Sequence, residues 1–155
     1  MSIQQGDKAI NFSLPDTDKH FVTLQEQRGK NVVLLFFPMA FTSVCTAELC
    51  NVRDNYDQYS QLNAQVYGIS VDSPFTLKEF KQQQHLNFPL LSDFNKEAST
   101  AYGALYDTFA MGMKGVSKRA AFVIDKEGIV QYAEVLEDAS QQPNFDAIRT
   151  ALQNS

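Results

Sequence analysis

A continuous apolar run at residues 32–37 (VVLLFF) most constrains how this chain can fold. An apolar run of this length predicts a strand that is buried on both faces. Pro38 ends the run, because a proline cannot continue a central strand. A helix is then expected to begin near Thr42 or Ser43, since both residue types are favoured at helix N-caps. The sequence therefore predicts a buried strand, a turn and a helix in succession.

Further strands and helices are indicated on both sides of this unit. Extended segments are predicted at 20–24, 66–71, 88–92, 120–124 and 129–135, the last two joined by a glycine turn into a hairpin. Helices are predicted at about 43–63, from Ser73-Pro74 onward, from Asp93 or Asn95 to Tyr102-Gly103, and at 144–152. This order predicts one α/β domain over residues 1–155 with a mixed sheet, and it is the order of a thioredoxin-like fold.

Charge and cysteine content limit the possible binding partners of the protein and the cellular compartment in which it is expected. The formal net charge is −5 and no long basic run occurs, which argues against binding to nucleic acid or to anionic membranes. The N-terminal residues show no signal-peptide pattern, and no apolar run approaches the length of a membrane span. Two cysteines do not make a secreted disulfide scaffold. We therefore expect a cytoplasmic protein with reduced thiols.

Cys45 is the candidate nucleophile. It falls in the first turn of the predicted helix, where free backbone N–H groups and the helix dipole lower the pKa of a thiol. It also follows the central strand, where open α/β sheets place their sites. The hydroxyl of Thr42 lies within reach of a thiolate or its substrate, or else caps the helix. The pair indicates nucleophilic or redox catalysis, and the alternative for Cys45 is a small buried core residue.

The segment Pro38-x-x-x-Thr42-x-x-Cys45 resembles the signature of the peroxiredoxins, thiol peroxidases built on the thioredoxin fold. The resemblance covers most of residues 6–136 and is closest to the one-cysteine AhpE-like branch. The other stretches that carry it are Phe36-Phe37, Glu48, Phe88-Pro89-Leu90-Leu91-Ser92-Asp93, Ala101-Tyr102-Gly103, Arg119 and Phe122-Val123-Ile124-Asp125.

The resemblance implies a role for each residue of the motif. Cys45 would attack the peroxide, and Arg119 would keep the thiol ionised and donate to the peroxide. Thr42 and the Cys45 backbone N–H would bind the peroxide oxygens in the manner of an oxyanion hole. Pro38 would shield the site from water, and Glu48 would orient Arg119. The alternatives are a strand terminator for Pro38, a helix-dipole carboxylate for Glu48 and a solvated charge for Arg119.

The resemblance also implies partners and the absence of a cofactor. No metal, flavin or haem is expected, because sulfur itself carries the two electrons. Thioredoxin or a glutaredoxin-like protein would reduce the enzyme, and a homodimer is expected. In peroxiredoxins, aromatic residues often line the dimer contact and a collar around the cysteine. The candidates, for which core packing is the alternative, are Phe12, Phe41, Phe75 and Phe109.

The role of Cys50 decides how the sulfenic acid of Cys45 is removed, and two alternatives remain. It follows Cys45 by five residues, the spacing of the resolving cysteine in Q-type peroxiredoxins (bacterioferritin comigratory proteins). In an intact helix this spacing separates the Cα atoms by roughly 8–9 Å. A disulfide requires a Cα–Cα distance of at most roughly 7 Å, so a Cys45–Cys50 bond can form only if the start of the helix unwinds. Otherwise Cys50 is a helix residue and an external thiol resolves the sulfenic acid.

Two other functions share these motifs. A redox-sensing or chaperone-like binding protein would use the same first oxidation of Cys45. A thiol–disulfide oxidoreductase of the same fold would use Cys-x-x-Cys and a cis-proline before a later strand. It is disfavoured, because here four residues separate the two cysteines and no proline occurs between Pro89 and Pro143. A metal-binding module would need His20 or His85 to approach Cys45.

Overall fold

The computed structural model describes residues 3–155 and is built around a five-stranded mixed sheet. The strands are β1 (Ser13–Pro15), β2 (Phe21–Thr23), β3 (Asn31–Phe36), β4 (Ala64–Ser70), β5 (Leu90–Ser92), β6 (Arg119–Ile124) and β7 (Val130–Leu136). The helices are α1 (Ser43–Asp54), α2 (Tyr56–Gln61), α3 (Pro74–Gln84), α4 (Glu97–Ala101) and α5 (Phe145–Gln153). Short 3₁₀ turns cover Leu24–Gln27 and Ala110–Gly112.

The central strand β3 organises the sheet, whose order is β5-β4-β3-β6-β7. Strand β3 is parallel to β4 and antiparallel to β6, and β1 pairs with β2 outside this sheet. All six residues of β3 are buried, as the apolar run predicts. Val33 and Leu35 pack with residues of α1, α2, α3 and α5, whereas Leu34 and Phe36 pack with α4 and the β1 region. The predicted α/β class with a mixed sheet is confirmed.

The helix predicted over about 43–63 is two helices, which is a correction. Helix α1 ends at Asp54 and α2 begins at Tyr56, with Asn55 between them. The Asn55 side chain donates to the carbonyl of Asn51 at 2.8 Å, and asparagine side chains of this kind compete with the helical backbone. Val52 and Tyr59 are nevertheless both buried, so the apolar pattern continues across the break.

Two of the other predicted helix starts are confirmed by their caps, and the third, predicted at Asp93 or Asn95, lies a few residues later, because α4 begins at Glu97. Ser73 accepts a hydrogen bond from the Thr76 backbone N–H at the start of α3, and Asn144 accepts one from Ala147 at the start of α5. The carboxylate of Asp93 accepts from two N–H groups of α4, although another residue, with a left-handed backbone, occupies the N-cap position.

The N-terminal and membrane predictions are tested only in part. Residues 1 and 2 of the N-terminal stretch lie outside the described residues. None of the helices found in residues 3–155 is long and apolar enough to cross a membrane. That residues 1–155 form one domain stays a prediction.

Candidate active site

The loop that joins β3 to α1 is held by two hydrogen bonds and contains a residue with an unusual backbone conformation. The Phe37 N–H donates to the Ile69 carbonyl at 2.9 Å, which continues the pairing with β4. The Ala40 N–H donates to the Asp72 carboxylate at 2.8 Å. Phe41 has φ of 69°, a left-handed conformation that is costly for a bulky residue and that is enriched at functional sites. The loop therefore presents the start of α1 in a fixed position.

Cys45 lies at a small cavity of about 170 Å³ at the start of α1. It is the third residue of the helix, where backbone N–H groups lack intrahelical partners and favour negative charge. The thiol is 1% exposed. The cavity is lined by Pro38, Thr42, Ser43, Val44, Cys45, Phe109, Arg119 and Ala139. A molecule in this cavity would meet the sulfur, one cation and otherwise mostly apolar walls.

Thr42 occupies the N-cap position of α1 but makes no side-chain cap. Its hydroxyl instead donates to the Met39 carbonyl at 2.9 Å. The alternative of a Thr42 side-chain cap is therefore wrong. The hydroxyl stays at the cavity wall, where its oxygen lone pairs remain able to accept a hydrogen bond.

Arg119 reaches the sulfur from the first position of β6. Its side chain is almost fully buried, which overturns the alternative of a solvated surface charge. Nη2 donates to Cys45 Sγ at 3.3 Å, and Nη1 forms an ion pair with Glu48 Oε1 at 2.6 Å. Nε and Nη2 also donate to the Ala139 carbonyl at 3.1 and 2.8 Å. The planar guanidinium thus has its orientation fixed by three partners.

Glu48 is fully buried one turn after Cys45. The first turn of α1 contains no acidic residue, so the alternative of a helix-dipole carboxylate for Glu48 is wrong. Burial, reinforced by the negative charge of Glu134, raises the pKa of Glu48 from 4.5 to about 7, and the charge and hydrogen bond of Arg119 oppose that rise. Its second oxygen, Oε2, is buried without a hydrogen-bond partner among the described residues.

Arg119 remains a cation in this setting. Burial acts to lower the pKa of Arg119, but the charges of Glu48 and Cys45 act in the opposite direction, and the net shift is upward. One buried positive charge therefore faces both a thiol and a carboxyl group.

Two parts of the site have no counterpart among the residues singled out in the sequence. Asp72, which holds the loop, has a weak signal, since it is an acidic residue directly after a buried strand at the edge where α/β sites lie. Ala139, which fixes Arg119, acts through its backbone carbonyl and has no side-chain signal at all.

Cys50 is not brought together with Cys45. Both thiols are free, and an intact α1 carries both residues. The half-buried Cys50 Sγ lies 3.6 Å from Gln84 Oε1. The Arg53 guanidinium donates to the Gln84 carbonyl at 2.5 Å, and Asn87 donates to the Arg53 carbonyl at 3.2 Å. The end of α1 is therefore attached to the end of α3 and the loop after it.

The four candidate aromatic residues have different surroundings. Phe12 is buried in the core, whereas Phe41 and Phe75 are exposed. Phe109 lines the cavity over Cys45, with its ring centroid 5.0 Å from that of Tyr106. Phe109 is therefore the aromatic wall of the site.

Comparison with known proteins gives the family. Residues 5–133 match the model of the AhpC/TSA family. A putative peroxiredoxin of Mycobacterium tuberculosis is 41% identical over 131 residues, 83% of each chain, and alkyl hydroperoxide reductase E of that organism is 39% identical over 133 residues, 84% of each chain. The crystal structure of peroxidoxin BcpB from Mycobacterium tuberculosis has a TM-score of 0.87 at 28% identity, covering 98% of this chain and 97% of that chain. The predicted resemblance and thioredoxin-like fold are confirmed, and the chain belongs to the AhpC/TSA family and is a peroxiredoxin.

Proposed function

We propose that this peroxiredoxin reduces hydrogen peroxide and organic hydroperoxides with Cys45 as the attacking thiolate. The observation that carries the proposal is the 3.3 Å contact between Arg119 Nη2 and Cys45 Sγ at the floor of the small cavity. A guanidinium at this distance stabilises the ionised sulfur, and only the thiolate is a strong nucleophile. Four of the five guanidinium hydrogens donate to Ala139, Glu48 and Cys45, which leaves one hydrogen, on Nη1, without a partner among the described residues.

The first step transfers one oxygen to sulfur. The Cys45 thiolate attacks the terminal oxygen of ROOH, an S–O bond forms, the O–O bond breaks, and RO⁻ leaves and is protonated to ROH. The Thr42 hydroxyl and the Cys45 backbone N–H hold the peroxide oxygens and stabilise the developing charge. Pro38 covers the sulfur and keeps bulk water from it. Glu48 orients Arg119 through the 2.6 Å ion pair.

The second step removes the sulfenic acid. We propose that the Cys50 thiol attacks the Cys45 sulfenic acid, so that an S–S bond forms and water leaves. This step requires the first turns of α1 to unwind, because an intact helix keeps the two Cα atoms beyond disulfide distance. A dithiol donor such as thioredoxin or a glutaredoxin-like protein then reduces the disulfide. The donor, like the homodimer, stays a prediction.

Peroxide consumption together with intact-mass analysis tests both steps. Wild type is expected to consume peroxide far faster than a free thiol and to end as an intramolecular disulfide. Cys45→Ser is expected to be inactive, and Cys50→Ser is expected to react at the wild-type rate in the first turnover and end as a sulfenic or sulfinic acid. A wild-type rate near that of a free thiol would overturn the peroxidase assignment. A stable sulfenic acid in wild type with reduced Cys50 would overturn the resolving role alone.

A further inference from the structure

We infer that Asp72 is a positioning residue for peroxide reduction, because it fixes the peptide group that sets the direction of the Thr42 hydroxyl. The half-buried Asp72 does not line the cavity over Cys45. Its carboxylate acts on the backbone between β3 and α1, and that backbone acts on Thr42. The inference rests on the proposed reaction at Cys45 and adds a residue to those of the motif.

One peptide group makes both contacts. The Met39 carbonyl and the Ala40 N–H belong to the same planar unit, so they can only move together. The N–H donates to Asp72 Oδ2 at 2.8 Å, and the carbonyl accepts from the Thr42 hydroxyl at 2.9 Å. A trans peptide points its N–H and its carbonyl in opposite directions. Asp72 therefore determines where the carbonyl that receives the Thr42 hydrogen lies.

This carbonyl settles how the Thr42 hydroxyl is oriented. A carbonyl oxygen has no hydrogen to give, so the hydroxyl hydrogen must point toward Met39. The hydroxyl then offers only lone pairs to the cavity that it lines. The terminal oxygen of a hydroperoxide carries a hydrogen that can donate to these lone pairs, which holds that oxygen in front of Cys45. Without a fixed acceptor the hydroxyl would rotate, and the peroxide would bind in several orientations.

Asp72 is itself held by two buried serine residues at the ends of neighbouring strands. Ser70 of β4 donates to Asp72 Oδ2 at 2.7 Å and accepts from the Asp72 N–H at 3.2 Å. Ser92 of β5 donates to the Asp72 carbonyl at 2.5 Å. Both serine residues are at most 2% exposed, and they face each other in the sheet register. A carboxylate supported in this way is fixed before the substrate arrives.

The neighbouring parts of the site have other anchors. The Phe37 N–H donates to a carbonyl of β4 at 2.9 Å just before the loop. Cys45 lies within α1 and contacts Arg119 at 3.3 Å. Loss of the Asp72 carboxylate should therefore free the Thr42 hydroxyl and leave the sulfur in place.

A double-mutant cycle between Asp72→Ala and Thr42→Val tests this route. We would measure the second-order rate of hydrogen peroxide reduction in the first turnover by stopped-flow fluorescence, in a Cys50→Ser background. Asp72→Ala is expected to lower the rate about 10-fold, the size of one charge-assisted hydrogen bond. Asp72→Asn should keep most of the rate, because its amide oxygen can accept from Ala40 and Ser70 as Oδ2 does. In a protein that carries Thr42→Val, Asp72→Ala should change the rate less than about 2-fold, because no hydroxyl remains to orient.

Alkylation of Cys45 by iodoacetamide separates the orientation of Thr42 from a general disturbance of the loop. This reaction needs the thiolate but no peroxide, and its rate should differ less than about 2-fold between Asp72→Ala and the parent. Asp125→Ala is the matched control. Asp125 is also half-buried and accepts two backbone N–H groups at 2.9 Å each, but in the β6–β7 turn. Its loss should leave the peroxide rate in place.

Three results would overturn the inference: a parental peroxide rate in Asp72→Ala, equal losses of the peroxide and iodoacetamide rates, or an equal loss in the Thr42→Val background. If circular dichroism shows that Asp72→Ala is unfolded, Ser70→Ala takes its place, because it removes the other donor to Oδ2. A loss of about 2- to 5-fold confined to the peroxide rate is then expected, and no loss would overturn the inference. A wild-type rate near that of a free thiol would overturn the proposed function and the inference with it, whereas a fast wild type with an unaffected Asp72→Ala overturns the inference alone.

Discussion

Removing the charge of Arg119 should make the free energy of unfolding fall as pH rises in the alkaline range. We consider Arg119→Met in a Cys45→Ser background, which removes the titration and oxidation of the reactive thiol. Methionine fills much of the same space without a charge. The substitution leaves Glu48 fully buried and without the cation that its Oε1 contacts at 2.6 Å.

The magnitude follows from the pKa of Glu48, which is about 7 in the folded state and 4.5 as its ordinary value. Because the folded-state pKa is raised, the stability contribution is full below about pH 4.5, falls as pH rises and is level above about pH 7. The free energy of unfolding of the parent protein therefore falls by ~3 kcal/mol in total, since each unit of pKa difference corresponds to ~1.4 kcal/mol. Without Arg119, Glu48 stays protonated in the folded state above pH 7, so the free energy of unfolding continues to fall by ~1.4 kcal/mol per pH unit.

Urea unfolding at about pH 6, 7.5 and 9 measures this difference at a fixed protein concentration. The gap in unfolding free energy between the Cys45→Ser parent and the Arg119→Met variant should widen by ~2 kcal/mol from pH 7.5 to 9. Adding Glu48→Gln to the variant should remove the widening, since no buried carboxyl remains to titrate. A gap that is constant with pH would refute the reasoning, because it would mean that Arg119 contributes packing and hydrogen bonds but does not control the Glu48 charge.

Three further substitutions test the cavity and the helix end. Thr42→Val should lower the second-order rate of peroxide reduction by about 100-fold, whereas Thr42→Ser should keep most of it, measured by stopped-flow fluorescence. Gln84→Ala removes the hydrogen-bond partner of Cys50 and should speed disulfide formation about 2- to 10-fold in rapid-quench mass analysis, while Gln83→Ala should not. Phe109→Ala widens the cavity and should raise kcat/KM for a bulky aromatic hydroperoxide relative to hydrogen peroxide about 10-fold. Equal peroxide rates in Thr42→Val and Thr42→Ser would contradict the role of the hydroxyl. Equal disulfide kinetics in Gln84→Ala and Gln83→Ala would contradict the role of Gln84, and an unchanged kcat/KM ratio in Phe109→Ala would contradict the role of Phe109.

The strands were the most predictable part of the fold. The apolar run at 32–37 is buried because β3 lies between β4 and β6 with helices or loops on both faces. The glycine turn joins β6 to β7 as expected, with the two strands antiparallel. These predictions depend on local composition and periodicity, which the sequence carries directly.

Two kinds of feature were not predictable from the sequence. One depends on backbone groups, and the other on a single side chain that competes with the backbone for a hydrogen bond. The break in the long helix arises because the Asn55 side chain bonds to a backbone carbonyl four residues earlier, and apolar periodicity does not register that event. The fixation of Arg119 depends on the carbonyl of Ala139, and any residue type except one that distorts the loop would offer the same acceptor. The strand β1 has only three residues and pairs outside the main sheet, so its pattern is too short to identify.

The position of Arg119 shows which information the sequence analysis lacked: it identified the candidate residues but not which strands are neighbours in the sheet. Strand β6 runs antiparallel to β3, and the Ala120 position pairs with Phe36 at the end of β3. The first residue of β6 must therefore lie where β3 ends and α1 begins, which is where Cys45 is held. The apolar runs predict both strands but not that they are neighbours, and that pairing converts an arginine 74 residues from the cysteine into its contact. Since the same pairing buries the guanidinium, its charge must be balanced by acids within reach, and Glu48, one helical turn from Cys45, meets that requirement from the same helix.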